Sequence, residues 1–139
     1  MAKFTIISEV HTTKATVKEL YDFLIDFKNF QTILPADRVE DFQYTEDTCS
    51  FNVKGVTHLN IRRFENIPHS SVKFRSEGLA KVEFVLDIKL RGEADQAGQC
   101  SVELNADAAP FIKLLAEKPL GKLINTMAQK LAELEVSKV

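Results

Sequence analysis

The neighbouring arginines Arg62 and Arg63 are the residues of this sequence with the clearest potential for chemistry. Successive side chains of a β-strand point to opposite faces, so one of the two is expected to face the apolar side. Because Leu59 and Ile61 are expected to point inward, Arg63 follows them. A buried guanidinium needs a partner, either a carboxylate of this chain or the acidic head group of a ligand. The alternative is an arginine near a strand end whose head group reaches water.

The three histidines offer little chemistry at their spacings. No two are four residues apart, and no cysteine lies at zinc-ligand spacing from them, so we expect no metal site. Alternation with Leu59 and Ile61 places His58 on the outer face of its strand. If the side chains of this strand point the other way, His58 becomes the best base for a cavity. Tyr44 and Ser76 could also present hydroxyl groups inside, although such residues are more often satisfied in a core or at a rim.

Patterns for nucleophilic or acid–base catalysis are missing from the sequence. It contains no Gly-x-Ser-x-Gly elbow and no glycine-rich phosphate loop, and neither cysteine has a nearby histidine. Asp107, just before Pro110, is expected to cap the last helix. Other carboxylate pairs resemble solvated helix faces. We therefore assign no catalytic residue and expect no cofactor.

These side chains have to be positioned by a run of strands. β-Branched and aromatic residues alternate with polar ones over most of the chain, which predicts half-buried strands. The short turns between them predict an antiparallel sheet, which curls as it twists. The seven predicted strands are Lys3–Thr12, Val39–Thr45, Cys49–Val53, Val56–Phe64, Ser71–Glu77, Val82–Arg91 and Cys100–Ala106.

Two short helices are predicted after the first strand. Thr16 and Glu19 have the spacing of a capping box, in which each side chain bonds the other's amide. A break is expected at Asp26–Asn29, followed by a short helix over Phe30–Leu34 that Pro35 ends. The apolar face of the first helix comprises Val17, Leu20, Tyr21, Leu24 and Phe27.

The last quarter of the chain, Pro110–Leu134, has helical periodicity. Pro119 is expected to break it into a short helix to about Glu117 and a main helix from about Leu120, or to begin a second helix in its first turn. Either break would give an adjoining cavity a mouth. The apolar stripe comprises Leu120, Leu123, Ile124, Met127, Leu131 and Leu134.

The composition is that of a single globular domain over residues 1–139. It is 45% hydrophobic with ten phenylalanines, which suit a core or an apolar pocket, and its net charge of −2 gives no support for a nucleic-acid or anionic-membrane surface. No segment has the pattern of a signal peptide or of a membrane helix. Cys49 and Cys100 are expected to be reduced and buried on separated strands, as in a cytoplasmic protein.

Four local strings and the order of elements resemble a known superfamily. The strings are Thr13–Asp26, with its helix cap and apolar-aromatic pairs, and Asp26–Phe30; Cys49–Gly55 and Glu117–Ile124 also resemble segments of small bacterial members. The chain resembles the START-like, or SRPBCC, superfamily, which includes polyketide cyclase/dehydrase-type and lipid-transfer-type proteins. The resemblance implies an α+β helix-grip fold: a curved seven-stranded antiparallel sheet, two short helices after strand 1 and a long C-terminal helix across the concave face.

The resemblance also implies binding of an apolar or amphipathic molecule between sheet and helix. The leading hypothesis is a carrier or sensor of a lipid-, polyketide- or quinone-like molecule. A cyclase/dehydrase-type or hydrolytic enzyme would need polar groups in the same cavity, and a protein-interaction module would have a filled cavity and an exposed apolar patch. The oligomeric state stays open. The predicted ligand-binding residues are Phe30, Leu34, Phe51, Leu59, Ile61, Arg63, Phe74, Phe84, Leu86, Leu123 and Met127.

Overall fold

The computed structural model describes residues 2–77 and 82–135 and has the predicted α+β helix-grip architecture. One antiparallel sheet is covered on its concave face by a long C-terminal helix and, toward one end, by short helices. In chain order the elements are β1 Ala2–Ile7, β2 His11–Thr16, α1 Val17–Leu24, α2 Phe27–Phe30, a 3₁₀ helix Gln31–Ile33, β3 Val39–Tyr44, β4 Thr48–Val53, β5 Thr57–Ile67, β6 Ser71–Ser76, β7 Val82–Arg91, β8 Ala97–Ala108 and α3 Pro110–Glu133.

The described sheet has eight strands rather than the predicted seven. Its order is β1-β8-β7-β6-β5-β4-β3, and β2 pairs with the other half of β8. The predicted first strand is thus two strands, and Ser8 lies between them. The Ser8 amide still donates to the Val102 carbonyl at 2.9 Å, but the Val102 amide donates to the Ser8 hydroxyl at 2.8 Å.

The short helices begin where side chains satisfy their first amides. The predicted capping box is confirmed: the Glu19 amide donates to the Thr16 hydroxyl at 3.1 Å, and the Thr16 amide donates to the Glu19 carboxylate at 2.9 Å. The predicted break at Asp26–Asn29 was too long. Asp26 accepts a hydrogen bond from the Lys28 amide at 3.1 Å, and α2 therefore begins at Phe27.

The C-terminal helix α3 is continuous, so the predicted break at Pro119 was wrong. Proline removes the one amide that would pair with the carbonyl of Leu115, four residues earlier. Leu115 lies on the outer side of the helix, 58% exposed, where water can satisfy that carbonyl. Asp107 does not cap the helix either: the N-cap is Ala109, without a side-chain bond, and Pro110 occupies the first turn, where a missing amide costs nothing.

The core lies between the concave face of the sheet and α3. The helix packs mainly on β8, β1, β2 and the 3₁₀ helix. The predicted alternation is confirmed in β7 and β8, whose inward residues are buried from Val82 to Leu90 and from Cys100 to Ala106. Cys49 and Cys100 are both buried free thiols, on β4 and β8, with three strands between them.

Candidate functional site

A small cavity lies between the sheet and α3. Its volume is about 20 Å³, which is room for about one water molecule, and its lining has no polar side chain. A site of this composition stays dry, because a water there would find no hydrogen-bond partner. The lining residues are Phe30, Phe51, Leu59, Val82, Phe84, Leu86, Leu104, Leu120, Leu123, Ile124 and Met127.

Seven of the eleven predicted ligand-binding residues line this cavity: Phe30, Phe51, Leu59, Phe84, Leu86, Leu123 and Met127. Their role in binding a ligand stays a prediction. Four other lining residues were not predicted from the sequence: Val82, Leu104, Leu120 and Ile124. All four belong to periodic apolar faces, so periodicity could have found them, but it does not indicate which part of a face borders a gap.

Three other predicted residues, Leu34, Ile61 and Phe74, are buried away from the cavity. Phe74 belongs to an aromatic cluster under the short helices. Its ring centroid lies 5.2 Å from that of Phe30 and 5.5 Å from that of Phe27. Aromatic rings packed at these separations form solid core, so this part of the concave face is filled.

The eleventh predicted residue, Arg63, lies on the concave side but does not line the cavity. Its guanidinium donates to the carbonyl of Ile25, at the C-terminus of α1, and to that of Glu46 at 3.3 Å. A cation there interacts favourably with the helix dipole. The observed partners of Arg63 are thus main-chain carbonyls and not a carboxylate, and its role in binding a ligand stays a prediction. Its Nε is buried without an acceptor among the described residues.

The other polar candidates also lie outside the cavity lining. His58 is exposed on the outer side, as alternation predicts, and its Nδ1 lies 2.6 Å from the Asn52 side-chain oxygen. Tyr44 is 53% exposed. The Ser76 hydroxyl accepts a hydrogen bond from the Phe84 amide at 3.0 Å. None of these three side chains therefore lines the cavity.

The two cysteines are poor nucleophiles in this fold. Burial raises the pKa of the Cys49 thiol to about 12 and that of Cys100 to about 11. The Cys100 thiol donates to the carbonyl of Ala128 on α3 at 3.6 Å. Both thiols are thus protonated at neutral pH and pack as small apolar side chains.

Two further properties concern the described part of the chain as a whole. Among residues 2–77 and 82–135, no three histidine, cysteine or acidic side chains converge where they could hold a metal ion. Over the same residues, no helix combines the length and hydrophobicity that crossing a bilayer requires.

Known structures share this architecture at low sequence identity. Norcoclaurine synthase from Thalictrum flavum, solved in complex with dopamine and hydroxybenzaldehyde, superimposes with a TM-score of 0.67 at 10% identity over 94% of this chain and 85% of its own. A conserved protein from Geobacillus kaustophilus has a TM-score of 0.64 at 18% identity over 94% of this chain and 93% of its own. DynU16, encoded in the dynemicin biosynthetic locus, has a TM-score of 0.57 at 18% identity over 92% of this chain but 45% of its own.

No protein-family model matches the sequence, and no curated protein matches it significantly. Similarity to solved structures at these identities shows the fold alone. The chain therefore has the helix-grip fold of the START-like, or SRPBCC, superfamily that its sequence resembles.

Proposed function

We propose that this protein binds an apolar or amphipathic small molecule between the sheet and α3. The observation that carries the proposal is the cavity lining, where helix and sheet face one another with apolar side chains only. Sites for such molecules are typically concave, apolar and placed between layers of a fold. Met127, with its flexible thioether chain, can adapt to ligands of different shape.

Ligand binding requires the cavity to widen. Small-molecule sites typically occupy roughly 300–1,000 Å³, whereas this cavity occupies about 20 Å³. α3 packs mainly on β8, β1 and β2, whereas Phe51 of β4 and Leu59 of β5 belong to the part of the cavity lining on which the helix packs least. We therefore expect the cavity to widen by separation of the helix from these two residues. We infer that the first half of α3 swings away from the turn between β4 and β5, which meets the helix where Gly55 lies beside Pro119.

The comparisons support a small molecule as the ligand. Norcoclaurine synthase, which has this fold, was solved with dopamine and hydroxybenzaldehyde bound. Both are small aromatic molecules with polar substituents, so this architecture can accommodate amphipathic ligands. Which molecule this chain takes depends on the shape of its own widened cavity.

A direct test is titration of the purified protein with 1-anilinonaphthalene-8-sulfonate, together with mass spectrometry of its organic extract. We expect saturable fluorescence enhancement. Leu123→Trp, which fills the cavity, should weaken the affinity at least about tenfold, the effect of losing one buried apolar contact. Ile7→Trp is the matched control, because Ile7 is exposed at the far end of β1. No saturable binding and no co-purified molecule would contradict the proposal.

A protein-interaction module is the second candidate, and one observation favours it. Such a module would have a filled cavity and an exposed apolar patch; this cavity has room for no more than about one water molecule, and Phe111, Leu114 and Leu115 are exposed. The same fluorescence titration distinguishes the two candidates. A protein with a filled core has no internal site for the dye, so Leu123→Trp should not change its fluorescence signal. The enzyme hypothesis has no comparable support, since Arg63, Tyr44 and His58 do not line the cavity.

A further inference from the structure

The first turns of α3 are apolar on two opposite sides. One side packs on the core through Ala116 and Leu120. The other exposes Phe111 by 65%, Leu114 by 78% and Leu115 by 58%. A helix with apolar residues all round is normally covered on every side, so the exposed side is suited to a partner.

The exposed side changes from apolar to cationic along the helix. Residues at spacings of three, four and seven share one helix face. Lys118 follows Leu114 by four residues, and Lys122 follows Lys118 by four, so both continue the same row, and both are exposed. We call these residues the docking face: Phe111, Leu114, Leu115, Lys118 and Lys122.

An open groove of about 840 Å³ continues the docking face toward the loop after the 3₁₀ helix. The positive charge of this region contrasts with the net charge of −2 of the whole sequence, which offered no sign of an anionic partner. Among the described residues, Arg38, Lys118 and Lys122 have no ion-pair partner within 4.0 Å, and their charges are available to a ligand. The charged residues lining the groove are the cations Arg38, Lys118, Lys122 and Lys130 and the anions Asp37 and Glu117.

We propose that the docking face binds the surface of an anionic phospholipid bilayer. The three apolar side chains would enter the boundary between head groups and acyl chains, and the cations would meet the lipid phosphates. Charge favours a bilayer over a second copy of this chain, because in a two-fold dimer through this face Lys118 and Lys122 would meet either the same cations of the partner or its apolar first turns, and in neither case an anion of the docking face. It also favours a bilayer over a protein, since lysine is depleted in protein interfaces.

This proposal does not rest on the ligand proposal, because the docking face lies outside the cavity. The two would be coupled, since the docking face occupies the half of α3 that we infer must move. A bilayer that holds Leu114 and Leu115 would act on the same helix that contributes Leu120 and Leu123 to the cavity lining.

The test is co-sedimentation of the full chain with vesicles of phosphatidylcholine alone and with phosphatidylglycerol added, at low and high salt. We expect binding to the phosphatidylglycerol vesicles that weakens as salt increases. The double variant Lys118→Glu/Lys122→Glu should lose at least about tenfold in affinity, because each basic residue near an anionic bilayer contributes roughly fivefold. Leu114→Glu/Leu115→Glu should lose at least about tenfold as well, through its lost apolar burial and its added negative charge.

Two matched controls lie outside the docking face, on β1 and β7. Ile7→Glu places a charge at an exposed apolar position, and Arg91→Glu reverses an exposed cation; neither should change binding. Circular dichroism checks that each variant is folded. Failure of the native chain to bind phosphatidylglycerol vesicles would overturn the proposal. So would equal losses in the control variants, or a dimer that Leu114→Glu/Leu115→Glu dissociates while no vesicle binding occurs. None of these outcomes depends on the fluorescence titration of the cavity.

Discussion

The guanidinium of Arg63 lies over the ring of Phe27, with 5.0 Å between its Cζ and the ring centroid. The same group donates to the carbonyls of Ile25 and Glu46, and so joins the end of α1 to the turn between β3 and β4. Phe27 in turn packs on Phe74 of the sheet. Arg63 therefore anchors the short helices, and its charge is used within the protein.

Replacement of Arg63 by alanine should lower the free energy of unfolding by about 2–3 kcal/mol, because it removes charged hydrogen bonds and a cation–π contact. Urea denaturation measures the change. Arg62→Ala is the control: Arg62 forms a partly exposed ion pair with Glu77 at 2.9 Å, so its loss should cost less than about 1 kcal/mol. Equal stabilities of the two variants, with weakened ligand binding only in Arg63→Ala, would instead place Arg63 in the binding site.

Enlarging the cavity should create a site for a small apolar molecule. Leu123→Ala should cost about 2–5 kcal/mol and leave a dry space beside the existing gap. Benzene should then raise the melting temperature of the variant, because it binds the folded state alone. Thermal unfolding with and without benzene measures this effect.

The control for this experiment lies on the same helix. Leu114 is exposed, so Leu114→Ala should change stability by less than about 0.5 kcal/mol and should not create a response to benzene. If benzene failed to stabilise Leu123→Ala, or stabilised both variants equally, the gap would not be where the structure places it.

Removal of Pro119 should stabilise the helix. Pro119→Ala restores an amide that can donate to the Leu115 carbonyl, and we expect a gain of about 1–3 kcal/mol in the free energy of unfolding. Gly121→Ala is the reference, with an expected gain of about 0.5–1 kcal/mol, since nothing lies within 4 Å of the added Cβ. A loss of stability in Pro119→Ala would show that the position of the ring beside Gly55 contributes more than the restored hydrogen bond.

The buried thiols should make stability fall at alkaline pH. The pKa of Cys100 is raised to about 11 and that of Cys49 to about 12 from the ordinary value of 9.0, so above pH 9 the unfolded chain loses these protons first. The unfolded state then binds fewer protons, and each thiol lowers the free energy of unfolding by up to about 1.4 kcal/mol per pH unit until the pH reaches its folded pKa.

This decline can be measured by urea denaturation from pH 8 to pH 11. The native protein is compared with the double variant Cys49→Ala/Cys100→Ala, which lacks both thiols. All other titratable groups are the same in the two proteins, so their contributions cancel in the comparison. The native protein should show the steeper decline above pH 9. Identical slopes would mean that the thiols ionise as easily in the folded state as in the unfolded state.

Residue periodicity by itself determined most of the layers of this protein. Alternation in β7 and β8 identified their buried faces, the Thr16–Glu19 spacing predicted the start of α1, and the stripe from Leu120 predicted the buried side of α3. These features could be predicted because each depends on neighbours within one strand or a few helical turns, where geometry is set by the chain itself.

Tertiary structure decided what lies opposite each face. Two carbonyls distant in sequence accept hydrogen bonds from Arg63, the outer position of Leu115 lets Pro119 remain within one helix, and Arg38 joins Lys118 and Lys122 at one groove. It also decided which lining residues border a gap and which, like Phe74, fill solid core. These outcomes depend on the distance between helix and sheet, which is set by the packing of all the side chains together and leaves no pattern in any single segment.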